Sequence, residues 1–191
     1  MNYDWKLMSE LQQEEDAGVG VRVSARIRWK PPSGSRVKVN VDAGVWEGLG
    51  SSVGAVVRRA DGSACAAMTW MVDDRWAPNI AEAKALLFGL QMPVDLGYKD
   101  VVMESDCLGL INAVSSRERG SSTFHLILDD VYHVSSLFES IRWSFVRREG
   151  NRVAHELAHC MPWAIGKQVW SSTFPECIVA LLNSDLPSNE S

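Results

Sequence analysis

Apolar and polar residues alternate without a break over residues 36–42, with Val37, Val39 and Val41 on one side and Lys38, Asn40 and Asp42 on the other. A period of two is the mark of a β-strand, and here it places Asp42 at the strand's end on the polar face. Two further apolar runs, 52–60 and 63–72, are joined by Asp61 and Gly62, a pair suited to the positive φ of a tight hairpin turn. The three segments predict an antiparallel meander.

Pro78 and Asn79 then open an Ala- and Leu-rich stretch that reaches Leu96. It is predicted helical, with Gly97 as a left-handed cap and Pro93 kinking or ending its last turn. Val101, Val102 and Met103 read as a short buried strand, after which Ser105 and Asp106 are candidate caps of a helix carrying Leu108, Leu110, Ile111 and Val114. Residues 124–136 predict another helix, and 141–146 alternates Ile141, Trp143 and Phe145 against Arg142 and Ser144 as a strand does. Asn151 is placed to cap a last helix with an apolar face of Ala154, Leu157, Ala158 and Met161. A meander followed by strand–helix alternation predicts an α/β mixed sheet with helices on its faces. Ligands of such sheets sit beyond the carboxyl ends of the strands.

The pattern divides the chain into a flexible lead-in (1–35), a folded domain (36–165) and a Ser/Pro/Asn-rich tail (166–191) whose one apolar patch is 178–182. Pro31 and Pro32 force an extended path just before the domain. No internal repeat is visible.

Composition narrows the function classes. With 191 residues, 46% hydrophobic and 23% charged, the chain supports one domain with a real core. Nineteen Lys and Arg against 24 Asp and Glu give a net charge of −5, which excludes nucleic-acid binding by a general positive field. Contacts to phosphate must come from local patches, of which Arg147, Arg148 and Arg152 form one, and Arg58 and Arg59 another. No apolar run is long enough to span a membrane, and residues 1–16 lack the apolar centre of a secretion signal, so the expected location is intracellular, nucleus or cytoplasm. The four cysteines, Cys65, Cys107, Cys160 and Cys177, show no CxxC spacing and read as free buried thiols.

Three acids hold telling positions: Asp42 at the end of the first strand, Glu82 early in the first helix and Asp106 just after the fourth strand. If the first and fourth strands are neighbours, all three meet at one end of the sheet. Clustered carboxylates repel one another unless cations neutralise them, and hard oxygen donors suit Mg²⁺ or Mn²⁺. Two such ions, about 3.5–4 Å apart, support phosphodiester hydrolysis without a protein nucleophile. Each acid also has a plain structural reading: Asp106 as a helix cap, Glu82 as a favourable charge near a helix N-terminus, Asp42 as a turn acid. His155 and His159 are spaced i, i+4, as zinc ligands can be, but lack a clear third partner, and His159 reads as a polar-face residue.

Four motifs in order carry a resemblance: Lys38-Val39-Asn40-Val41-Asp42-Ala43, Ala81-Glu82-Ala83-Lys84-Ala85-Leu86, Glu104-Ser105-Asp106, and the segment from Val146 to Ala158 with Asn151 and His155. Together with the Trp29…Pro31-Pro32 lead-in, they resemble the plant ribonuclease H-like domains related to retroelement reverse transcriptases. The resemblance implies a five-stranded mixed sheet and cleavage of the RNA strand of RNA–DNA hybrids with two Mg²⁺ ions, Mn²⁺ being a possible substitute. By motif, Asp42 would bridge the metals, Glu82 would hold one and touch the substrate, Asp106 would complete the shell, and His155 would take the fourth ligand position. Asn79 matches a minor-groove contact, and Ala43, Gly44, Arg147, Arg148 and Asn151 complete the implied substrate set. The chain departs from ribonucleases H in carrying His155 where they place an acid, and in a short 147–150 loop without their His. Leu108 and Gly48 also stand where polar contacts to the hybrid are expected. A neutral imidazole suits Mn²⁺ better than Mg²⁺ and brings no charge. The alternative expectation is a weakened module of the same fold that binds nucleic acid or a protein without cutting. An exonuclease of the same superfamily is a third. A monomer is the default.

Overall fold

In the computed structural model, residues 28–160 and 164–186 are described. Most of the lead-in and Met161 therefore lie outside the described residues. The meander forms as the alternation predicts: β1 (Val37–Trp46), β2 (Gly50–Arg58) and β3 (Ala64–Val72) pair antiparallel. Next come α1 (Pro78–Asp95), β4 (Asp100–Ser105), α2 (Leu108–Ser115), α3 (Thr123–Ser135), β5 (Ser140–Phe145), a 3₁₀ turn (Arg148–Gly150), α4 (Arg152–His159), β6 (Gly166–Trp170) and α5 (Glu176–Asp185). β4 joins β1 in parallel and β5 joins β4 in parallel, giving a sheet of order β5-β4-β1-β2-β3-β6.

The sheet thus has six strands, against the five expected. β6 pairs antiparallel with β3, from Ala67 opposite Trp170 to Met71 opposite Gly166. It lies in the stretch read as tail, where five residues of weak alternation on a sheet edge leave little trace in sequence. Behind it, α5 buries Ile178 and Leu182, one helical turn apart, against Val56, Ala67, Val153 and Leu157. The opposite end of the domain also reaches further than expected. Trp29, assigned to the flexible lead-in, is only 3% exposed.

β1 does not stop at Asp42. It continues to Trp46, and the turn to β2 uses Gly48 and Gly50 at φ +73° and +103°, values that L side chains rarely adopt. Polar–apolar alternation stops at Asp42, and the strand runs on through Ala43, Gly44, Val45 and Trp46, of which only Gly44 is fully buried. Pro93 sits inside α1 without ending it. Leu96 N–H still reaches the Met92 carbonyl at 3.0 Å, and the cap passes to Gly97 at φ +77°.

Two apolar layers flank the sheet. Val39, Val41 and Met103 pack with Leu86 and Leu90 of α1, Leu110 of α2 and Leu128 of α3 on one face. α4 and α5 cover the other. No helix among the described residues is long and apolar enough to cross a membrane.

Candidate active site

The parallel register of β1 and β4 runs from Val37 opposite Val101 to Val41 opposite Ser105. Asp42 and Asp106, the next residue on each, therefore emerge side by side where the parallel pairing ends. On the polar face of β1, α4 lies against β1 and β2 through Val153, Ala154, Leu157 and Ala158, all buried. It sits so close that a Cβ on Gly54 would come within 2.5 Å of the Ala158 nitrogen. This seating brings His155 to Asp42, with Nδ1 2.7 Å from Oδ2. One turn on, His159 Nδ1 lies 2.9 Å from the His155 carbonyl oxygen and 3.6 Å from the same Asp42 oxygen. A carbonyl only accepts, so His159 Nδ1 carries the proton. The two imidazoles lie 4.0 Å apart between centroids.

Glu82 reaches the same end from α1. Its Oε2 is buried without a hydrogen-bond partner. Burial, then the charges of Asp42 and Asp106, push its carboxyl well above the ordinary range. Burial and Asp42 likewise raise Asp106, opposed by Arg148 and Asn151. The neighbouring Cys107 thiol is pushed up to about 12, by burial first and Glu82 second. Three acids at one end of the sheet, two of them with raised carboxyls and one of these with an orphaned oxygen, form a donor set suited to a hard divalent cation. Asp42, His155 and His159 also offer donor atoms within 4.8 Å of one another, a second cluster that shares Asp42 with the acids.

Asn151 is the residue before α4, yet its side chain does not cap the helix. Its Nδ2 donates to the Val41 carbonyl and to Asp106 Oδ1, both at 3.0 Å, and its Oδ1 accepts from Asn40 Nδ2 at 3.2 Å. Asn40 is the hub of a buried polar layer. It donates to Glu104 Oε2 at 3.0 Å and accepts from Trp29 Nε1 and Arg58, each at 3.0 Å. Lys38 pairs with Glu104 at 2.6 Å, which neutralises that acid and keeps it out of the metal set. Arg58 pairs with Asp185 of α5 at 2.7 Å and stacks 3.8 Å from the Trp29 ring. Burial pulls its guanidinium down to about 10.

Asp42, Glu82, Asp106 and His155 thus converge at one end of the sheet. The cap position of α2 falls to Cys107 rather than Asp106, and Ser105 Oγ accepts the Cys107 N–H at 3.0 Å. Arg148 Nε lies 3.4 Å from Asp106 Oδ2, with its side chain 68% exposed, and Arg147 is exposed. Asn79 stands in the first turn of α1, half-buried. Ala43 packs partly into the core. Gly44, expected to touch substrate, lies buried under the end of α4, where a Cβ would come 2.9 Å from the Ala158 carbonyl; its smallness serves packing. Asn151, also expected to touch substrate, is fully buried and ties strands together. The sequence reading missed His159 as a neighbour of Asp42, although its i, i+4 spacing from His155 signalled it. It also missed Asn40 as a hub, which only the fold reveals.

The model of the family described as reverse transcriptase-like matches residues 40–161, which contain all four of these residues. The chain belongs to this family. A search of curated proteins finds no match. Among solved structures, this reverse transcriptase-like chain is similar to ribonuclease H1 from the archaeon Halobacterium salinarum, at 22% identity and a TM-score of 0.59, over 64% of this chain and 94% of that one. It is also similar to the N-terminal ribonuclease H domain of a Mycobacterium tuberculosis protein, at 25% identity and a TM-score of 0.58, over 66% and 96%. A third, LC11 ribonuclease H1, was solved in complex with an RNA/DNA hybrid; it is 18% identical with a TM-score of 0.57, over 63% and 92%. The reverse transcriptase-like domain therefore has the ribonuclease H fold, with β6 and α5 lying outside the matched residues.

Proposed function

We propose that this chain is a divalent-metal-dependent nuclease that hydrolyses the RNA strand of RNA–DNA hybrids. One observation carries the reading: Asp42, Glu82 and Asp106 crowd one end of a ribonuclease H fold, with Glu82 Oε2 buried and unpartnered. Asp42, Glu82, Asp106 and His155 would hold the metal, Mg²⁺ or Mn²⁺. When bound, it supplies charge for the developing phosphorane and lowers the pKa of an attacking water. The chain's own groups do the rest. Asn151 fixes Asp106 against β1, and His155 holds the Asp42 carboxylate in one orientation. The exposed Arg148 lies beside Asp106, and with the exposed Arg147 that precedes it can take backbone phosphates. Asn79, three residues before Glu82 on α1, extends the contact surface toward the groove. The hybrid solved on LC11 ribonuclease H1 supports the substrate class, and recognition through groove shape and 2′-hydroxyls needs few base contacts. The motif set supports a plant, retroelement-related ancestry.

The test is cleavage of a hybrid labelled on the RNA strand, in Mg²⁺ and in Mn²⁺, with Asp42→Asn as control. Wild type is expected to cut the RNA strand in at least one metal. Asp42→Asn should lose about 100-fold or more, the scale of the several kcal/mol that a metal contributes. Binding of the hybrid without cleavage in either metal overturns the nuclease reading in favour of a non-cutting module.

A further inference from the structure

Away from the carboxylates, the structure brings together three side chains that lie far apart in pattern. Glu156 and Cys160 stand one turn apart at the end of α4, and Cys177 faces them from the first turn of α5. Their donor atoms, one carboxylate oxygen and two sulfurs, all lie within 4.8 Å of one another. Each residue is half-buried, and neither thiol forms a disulfide. The Cys160 N–H donates to the Glu156 carbonyl at 2.7 Å, which fixes the backbone of both.

We propose that Glu156, Cys160 and Cys177 bind a thiophilic divalent cation, Zn²⁺ by preference, that clamps α5 to α4. Two thiolates and a carboxylate are a recognised donor set for zinc, and its bonds of about 2.3 Å to sulfur place donors about 3.8 Å apart in a tetrahedron. The observed spacing needs only a small closing motion, and a water takes the fourth position. On binding, each thiol loses its proton to solvent and forms an S–Zn bond. Burial, then the neighbouring Cys160 and Glu156, push the Cys177 thiol up to about 12, so its ionisation is opposed without a metal. A cation removes that conflict.

The clamp would act on stability. α5 is ten residues long and holds on through Ile178, Leu182 and the Asp185–Arg58 pair. A metal at its first turn ties down the end remote from Asp185. It also braces the helix that carries His155 and His159.

Cobalt(II) distinguishes this site from the carboxylate site, because only thiolate ligands give an intense sulfur-to-cobalt charge-transfer band in the near ultraviolet. Reduced, chelator-treated full-length protein titrated with Co²⁺ should develop that band to one equivalent, and Zn²⁺ should displace it and raise the melting temperature. Asp42→Asn should keep the band. Cys177→Ser and Cys160→Ser should each weaken it, and the double variant should abolish it. Glu156→Gln, which spares both thiols, should keep the band while requiring more metal to saturate it. A missing band in the reduced wild type, or one that survives the double variant, overturns the proposal. So does a Cys160–Cys177 disulfide in native protein whose reduced form takes up no zinc.

Discussion

His155 decides what the acidic end demands of a metal, because it meets Asp42 at 2.7 Å with an imidazole rather than a second negative charge. At an effective dielectric of about 20, a charge some 4 Å from another contributes about 4 kcal/mol per unit pair. His155→Asp is therefore expected to lower the Mg²⁺ concentration for half-maximal cleavage at least about tenfold, and to lower the melting temperature of the metal-free protein. A Mg²⁺ titration of cleavage and a melt in chelator check both arms. Asn151 acts at the same scale by a different route. Asn151→Ala leaves the Val41 carbonyl, Asp106 Oδ1 and Asn40 Nδ2 each short of a partner in a buried layer. Loss of these three hydrogen bonds from a buried layer costs about 2–4 kcal/mol in all, readable by urea denaturation. Cleavage should fall as well, since Asp106 loses a buried donor that ties it to β1.

At the scale of elements, α5 is both a lid on apolar surface and the source of a counter-charge. Arg58 is completely buried on β2, and among the described residues Asp185 is the only acid that pairs with it. Removing one member of such a pair strands a charge in a poor solvent for it. Asp185→Ala is expected to cost about 3–5 kcal/mol, whereas Glu176→Ala in the first turn of the same helix should cost far less; equilibrium denaturation of the two variants makes the comparison. Neither role was visible in sequence, because Ile178 and Leu182 form only a two-residue stripe and Asp185 answers a residue on β2. By contrast, the alternation of 36–42, the Asp61-Gly62 turn and the Gly97 stop are local signals, and each maps onto a real boundary or face. Asp42, Glu82 and Asp106 were legible for a further reason: Asp42 and Asp106 each follow the last residue of the β1–β4 pairing, Glu82 lies near the start of α1, and adjacency of β1 and β4 suffices to bring them together. Asn151 misled because a residue that precedes a helix is normally spent on capping. Here the close approach of α4 at Gly54 turns its side chain inward to the sheet.

For the whole molecule, the net charge of −5 is not spread evenly in its effects. The three acids at one end act on stability through Glu82. Because its folded pKa is raised above the ordinary 4.5, the native state keeps a proton that the unfolded chain has lost. The stabilisation is fully present below 4.5 and is lost as pH rises through the folded value. Metal-free wild type should accordingly lose melting temperature with rising pH across this window, more steeply than Glu82→Gln. Saturating divalent cation should flatten the wild-type slope. Scanning calorimetry over that pH range, with and without the cation, tests the sign.

The short strand β6 has a consequence for the chain's behaviour in company. The family match ends at residue 161, and β6 begins at Gly166. A protein ending at that boundary would leave β3 as the sheet's last strand, its N–H and C=O groups from Ala67 to Met71 facing outward. Nearby Val56 and Leu157 would lose the cover of α5. An open, apolar edge of that kind is a template for strands of other molecules. β6 takes up that edge and α5 covers those side chains, so the two elements after the family match close a surface that the matched residues alone would leave open.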